Sequence, residues 1–136
     1  MNILITGAGG TVGAEICRQL LSGGIDRLYL FGHGENSIYE INRQLHVLQS
    51  EGVGEKTSIV PIIGDITDRD YIHWLLPQMN VDVIFHCAAH KHVPLMEENP
   101  CEAIRVNVFG SRNVADMAVK YGVERFVMVS TDKAVN

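Results

Sequence analysis

The chain lacks several features that would have settled its class at once. Its 136 residues contain no apolar run approaching the roughly 18 residues that would mark a membrane span. No basic stretch precedes the first apolar residues, Met1 to Ile5, so no signal peptide is expected and the protein is expected in the cytoplasm. Positive charge is scarce and scattered: Lys and Arg number 11 against 16 Asp and Glu, for a net charge of −5. That balance argues against nucleic acid or an anionic membrane surface as the main partner. Three cysteines, Cys17, Cys87 and Cys101, form no CxxC pair and cannot all pair, which suits reduced thiols. No repeat, low-complexity tract or linker interrupts the chain. What is present is 46% hydrophobic residues, enough for one domain with a packed core.

Strand and helix patterns alternate from end to end. Short apolar runs at Asn2–Thr6, Arg27–Phe31, Ser58–Ile63, Val81–His86 and Arg125–Ser130 suit buried parallel strands. Between them lie helical patterns. Thr11–Ser22 has Val12, Ile16 and Leu20 on one face and stops at Gly23-Gly24. The second helix starts at an Asn36 or Ser37 cap and buries Ile38, Ile41, Leu45 and Leu48. The third runs from Asp68 to Leu76. The fourth opens at Asn99-Pro100 and continues to Tyr121. Five strands with helical crossovers predict an α/β fold, a doubly wound, Rossmann-like parallel sheet in the order 3-2-1-4-5. Ligands of such sheets lie beyond the carboxyl ends of the strands, near the switch point between the first and fourth.

The glycine turn Gly7-Ala8-Gly9-Gly10-Thr11-Val12-Gly13 occupies that edge, after the first strand and at the start of the first helix. Glycine permits a tight turn and a close backbone approach, and the helix N-terminus favours a pyrophosphate. Gly7, Gly10 and Gly13 are spaced by three; the more usual dinucleotide spacing would put glycine at Val12, and a Walker Gly-Lys-Ser/Thr is absent. Gly7, Gly10, Thr11, Val12 and Gly13 are therefore expected to hold a dinucleotide; the competing reading is a purely structural turn. A carboxylate for a ribose 2′-hydroxyl is expected about 20 residues on, but the second strand ends in Phe31-Gly32-His33-Gly34. His33, Asn36 and Ser37 could donate to a 2′-phosphate, which favours NADP over NAD, although Glu35 is close. A flexible turn is the alternative.

Asp65 and Ile66 follow the third strand, where Asp65 could accept from an adenine amino group and Ile66 pack on the ring; a helix-entry cap is the alternative. Cys87-Ala88-Ala89 reads as a small-residue approach to the nicotinamide half, with Lys91 near phosphate. His86, Cys87, His90 and His92 fit no closed metal site, and no metal is expected. Asn107 is expected on the buried face of its helix, beside Ala103, Ile104, Val108, Ser111 and Val114, pinning strand backbone; the alternative puts it at the edge of that face.

Together, the glycine spacing, Gly64-Asp65, Cys87-Ala88-Ala89 and Asn107 resemble the extended short-chain dehydrogenase/reductase family. Ala88-Ala89-His90-Lys91-His92-Val93-Pro94-Leu95-Met96-Glu97 and Ser130-Thr131-Asp132-Lys133-Ala134-Val135-Asn136 resemble its bacterial polysaccharide-biosynthesis branch, the UDP-N-acetylglucosamine 4,6-dehydratases and relatives. The resemblance covers essentially the whole chain as an NAD(P)-binding domain over residues 1–136. It implies a redox-neutral reaction on a UDP-sugar, with NADP (alternatively NAD) as cofactor. Hydride leaves C4, the resulting ketone acidifies the C5 proton, a base takes that proton, an acid assists loss of the C6 hydroxyl, and hydride returns to C6. It also implies Asp132 as acid, Lys133 as base and Thr131 as a contact to substrate or nicotinamide. By residue type alone, Asp132-Lys133 could equally be a solvated turn pair.

In the family, a Tyr or Met and a Lys follow on a later helix, and a sugar-nucleotide domain is drawn largely from later sequence. Neither can be placed before Asn136, so the chain reads as part of a longer enzyme and is expected to be inactive alone. Apolar surface near the fifth strand is expected to promote homo-oligomer formation. Nucleotide-sugar epimerases and a non-catalytic dinucleotide-sensing module are the competing functions, with a chain that binds no nucleotide the remaining one.

Overall fold

The computed structural model describes residues 1–88, 101 and 105–129. The elements, in chain order, are β1 (Asn2–Thr6), α1 (Thr11–Leu21), β2 (Arg27–Gly32), α2 (Glu35–Ser50), β3 (Ser58–Ile63), α3 (Arg69–Leu75), β4 (Val83–His86), α4 (Ser111–Lys120) and β5 (Arg125–Met128). A short 3-10 turn, Leu76–Gln78, extends α3, and a π-helical turn, Arg105–Gly110, leads into α4. The five strands are parallel and ordered β3-β2-β1-β4-β5, as the sequence predicts.

Each strand presents successive residues to opposite faces, and both faces are covered. On one side Ile3, Ile5, Leu28, Leu30 and Val83 pack with Cys17 and Leu21 of α1 and Ile38, Ile41 and Leu45 of α2. On the other, Leu4, Tyr29, Phe31 and Ile84 pack with Ile72 and Leu76, and with Val114, Met117 and Ala118 of α4. Two buried hydroxyls are tied down: Tyr29 Oη donates to Met79 O at 3.2 Å, and Thr57 Oγ1 to Ile25 O at 2.8 Å.

Three helical expectations shift. The buried face of α1 runs through Gly13, Cys17 and Leu21, with Ile16 and Leu20 at its flanks, and Val12 is 38% exposed. The stripe is one residue out of phase because the close packing centres on Gly13. The second helix begins at Glu35 after Gly34; neither Asn36 nor Ser37 caps it, and Ser37 Oγ instead donates back to Gly34 O at 3.0 Å. Near the chain's end, the expected α-helical run to Tyr121 is interrupted by the π-helical turn. Its wider winding breaks the four-residue repeat that would have aligned Asn107 with Ser111 and Val114. Asn107 and Val108 are consequently exposed, correcting the expected burial of Asn107, while Val114 is buried. The third helix does start where its sequence suggests, with Asp68 accepting from Tyr71 N at 3.1 Å.

Candidate dinucleotide site

β1 and β4 are neighbours with Thr6 opposite His86, so the chain leaves both at one edge of the sheet. There the glycine turn is built without spare room. Gly7 is left-handed, at φ +68°, and a Cβ on it would stand 2.7 Å from Ala88 N. One turn into α1, a Cβ on Gly13 would overlap Gly7 O and come within 2.9 Å of Gly7 C. These contacts are with backbone, which cannot rotate aside, so Gly7 sets the turn against the Cys87-Ala88 backbone and Gly13 seats the helix on the turn. Gly10 differs. Its N–H donates to Gly7 O at 3.0 Å and its carbonyl accepts from Ala14 N at 2.9 Å, but the nearest atom to an added Cβ is Gly7 O at 3.4 Å. Gly10 thus faces open space at the helix start, with Thr11 and Val12 exposed beside it. The first turn of a helix lacks intrahelical acceptors for its N–H groups and favours an anion. Such a cradle fits a dinucleotide pyrophosphate.

The β2–α2 turn borders the same edge. A Cβ on Gly9 would lie 2.5 Å from Ser37 Oγ, so Ser37 is packed against the glycine turn. His33, Asn36 and Ser37 are all exposed, as is Glu35. Following β3, Gly64 N donates to Gly32 O at 3.0 Å, and Asp65 Oδ1 accepts from both Thr67 N (2.9 Å) and Thr67 Oγ1 (2.7 Å). One oxygen of Asp65 therefore organises the loop that leads into α3, whose cap is Asp68. Ile66 is 5% exposed, and its side chain packs in the core and against Gly110. The apolar side chain thus helps close the core between β3 and α4.

At the end of β4 the structure adds a feature the sequence does not advertise. His86 is 2% exposed; its Nδ1 lies 2.6 Å from Thr6 Oγ1 and its Nε2 lies 2.9 Å from Ser111 Oγ. Thr6 Oγ1 also accepts from Cys87 N (3.1 Å) and Ala88 N (3.3 Å). The ring stacks on Phe126, with centroids 5.9 Å apart, and burial draws the imidazole pKa down to about 4. The only sequence signal was a Thr and a His ending adjacent strands. Burial raises the Cys17 thiol to about 12, with the neighbouring Cys87 adding to it, so Cys17 is a packing residue. Ala89, Lys91, Thr131, Asp132 and Lys133 lie outside the described residues, as do His90 and His92. Among the described residues no group of three metal-ligating side chains occurs, and no helix is long and apolar enough to cross a membrane.

Residues 3–136 match the family model described as polysaccharide biosynthesis protein. The chain is 48% identical over 134 residues to the capsular polysaccharide biosynthesis protein CapD of Staphylococcus aureus, covering 98% of this chain and 22% of that protein. It is 33% identical over 136 residues to a UDP-N-acetylglucosamine 4,6-dehydratase (inverting) of Campylobacter jejuni, covering 99% of this chain and 37% of that protein. Among solved structures, UDP-glucose-4-epimerase from Stenotrophomonas maltophila, crystallised with bound NAD, superposes with a TM-score of 0.80. That match covers 98% of this chain and 38% of the epimerase at 24% identity, a likeness of fold. The chain thus spans between about a fifth and two fifths of the length of these proteins. Relatives of the predicted kind, matched along nearly all of these residues, leave one assignment: the chain belongs to the polysaccharide biosynthesis protein family.

Proposed function

We propose that residues 1–136 form the NADP-binding domain of a nucleotide-sugar 4,6-dehydratase. Its substrate is UDP-N-acetylglucosamine, and its product a 4-keto-6-deoxy sugar for bacterial surface polysaccharide or glycan. The observation that carries this reading is the glycine cradle at the switch point, where Gly7 and Gly13 admit no side chain while Gly10 faces open space at a helix N-terminus. The sequence likeness to a UDP-N-acetylglucosamine 4,6-dehydratase supports the reaction class.

Preference for NADP over NAD rests on the end of β2. No carboxylate stands at Phe31-Gly32-His33-Gly34 to repel a 2′-phosphate, and exposed His33, Asn36 and Ser37 offer donors. Gly7, Gly10, Thr11, Val12 and Gly13 would hold the pyrophosphate, and Asp65 and the backbone at Ile66 would meet the adenine end. Ala88, Ala89, Lys91 and Asn107 would border the nicotinamide half. The bound nicotinamide would accept and return one hydride. The chain's own chemistry would fall to the residues after β5, and Val129, whose N–H donates to His86 O at 3.0 Å, is the last described residue before them. Asp132 would protonate the departing C6 hydroxyl, Lys133 would take the C5 proton, and Thr131 would contact substrate or nicotinamide. A simple C4 epimerase would not need this acid–base pair, which favours the dehydratase reading.

The free thiols of Cys17 and Cys101 suit a cytoplasmic location. Exposed Val127 and Met128 of the edge strand β5 supply apolar surface for a homo-oligomer. Incubated with UDP-N-acetylglucosamine, the product of the whole gene is expected to yield a 4-keto sugar. The 136-residue chain alone is expected to yield none. Steady production of that sugar by the 136-residue chain, or none by the whole gene product, would contradict the proposal.

A further inference from the structure

The hydrogen-bond arithmetic around Thr6 fixes the state of His86. Thr6 Oγ1 has two lone pairs and one hydrogen. Backbone N–H groups can only donate, so the Cys87 and Ala88 amides, at 3.1 and 3.3 Å, take both lone pairs. The remaining hydrogen must point to His86 Nδ1, 2.6 Å away. A neutral imidazole with a bare Nδ1 carries its proton on Nε2, which then donates to Ser111 Oγ at 2.9 Å. A proton on Nδ1 would bring a third donor to Thr6 Oγ1. Cys87 N also donates to Thr6 O at 3.0 Å, so of the two amides Ala88 N–H is the one that relies on Thr6 Oγ1 as its acceptor among the described residues. Ala88 is also the residue whose backbone lies against Gly7, 2.7 Å from where a Cβ would stand.

We propose that His86 and Thr6 are a positioning pair for the dinucleotide site: the Nε2–H tautomer of His86 orients the Thr6 hydroxyl, which holds the Ala88 amide and so keeps the chain after β4 closed against Gly7. Neither residue touches the dinucleotide. The pair acts on the shape of the glycine turn, and Ser111 extends the chain of bonds to the start of α4. The inference rests on the cofactor reading for its consequence in binding, but its geometry stands apart from that reading.

The test has two arms on the 136-residue chain. In the first, ring-nitrogen NMR of histidine-labelled protein at neutral pH is expected to show His86 neutral with its proton on Nε2. Amide exchange at Ala88 is expected to speed up in Thr6→Val and to stay at the parent rate in Thr6→Ser, which keeps the hydroxyl. A proton on Nδ1, or unchanged Ala88 exchange in Thr6→Val, would overturn the positioning. In the second arm, titration with NADP+ is expected to show about tenfold weaker binding in Thr6→Val, the scale of one buried hydrogen bond, with the parent value restored in Thr6→Ser. His86→Asn, whose amide oxygen can accept from Thr6, is expected to bind better than His86→Phe. Equal affinity across all four variants would overturn the proposal. A parent chain that binds neither NADP+ nor NAD+ would overturn the cofactor reading and the binding consequence together, while the first arm still decides the positioning.

Discussion

Adding one methyl group at Gly13 sets two effects of opposite sign against each other. Gly13 lies inside α1, where alanine is ordinarily favoured over glycine by about 0.5–1 kcal/mol. The structure reverses that gain. The new Cβ would overlap Gly7 O, 2.9 Å from Gly7 C and 3.1 Å from Ala8 Cα. All three are backbone atoms, so relief requires α1 to lift off the sheet or the turn to deform. Overpacking of this kind costs about 1–3 kcal/mol, and a backbone obstacle belongs at the upper end. Gly13→Ala should therefore lose about 1–2 kcal/mol net, and with it the geometry of the cradle. Gly10→Ala is the matched control, because its Cβ meets nothing closer than 3.4 Å. It should keep its stability within about 0.5 kcal/mol yet weaken dinucleotide binding, since the added methyl points into the open side of the turn. Urea unfolding measures the difference directly. With a slope near 2 kcal/mol per molar, the Gly13→Ala midpoint should fall by about 0.5–1 M while the slope is unchanged. A Gly13→Ala protein as stable as the parent, or more so, would refute the close-packing account.

His86 makes stability depend on pH. Its folded-state pKa, about 4, lies below the ordinary 6.5, so between these values the unfolded chain binds more protons. The stability due to neutral His86 is complete above pH 6.5 and is lost as pH falls to about 4, by about 3 kcal/mol at most, at 1.36 kcal/mol per pH unit. Unfolding curves across that window should show the slope in the parent, and a difference of zero between parent and His86→Gln slopes would count against it. His33→Asp places a carboxylate at the end of β2 and should lower the NADP+ over NAD+ affinity ratio by about tenfold; an unchanged ratio would remove β2 from the selectivity argument. Leu30 is fully buried in the sheet, and Leu30→Ala should cost about 2–5 kcal/mol in the same unfolding assay. The exposed Arg69–Asp116 pair, at 3.3 Å, is expected to matter little, with Asp116→Asn changing stability by less than about 0.5 kcal/mol.

Much of the fold was legible because parallel strands buried on both faces write themselves as short apolar runs. Ser58–Ile63 matches β3 residue for residue, and the glycine turn fell where its strand and helix required. Helix faces were less legible. The sequence offers Val12, Ile16 and Leu20 as an apolar stripe, but backbone contact at Gly13 sets the phase and leaves Val12 outside. Asn107 was misjudged because a π-helical turn does not follow the four-residue repeat, and no residue type announces one. The burial of Ile66 over Gly110 depends on a contact between residues 44 positions apart, which no local pattern shows. The Thr6–His86–Ser111 chain was beyond reach of pattern alone. Thr6 and His86 are 80 positions apart and meet only because β1 pairs with β4.

The central claim is that the glycine turn grips a nicotinamide dinucleotide, and calorimetric titration of the chain with NADP+ and NAD+ tests it most directly. Saturable one-to-one binding is expected, tighter for NADP+, and lost in a Gly10→Val protein whose circular dichroism and unfolding midpoint match the parent. Binding that survives Gly10→Val undiminished, or a folded parent chain that binds neither dinucleotide, would contradict the claim.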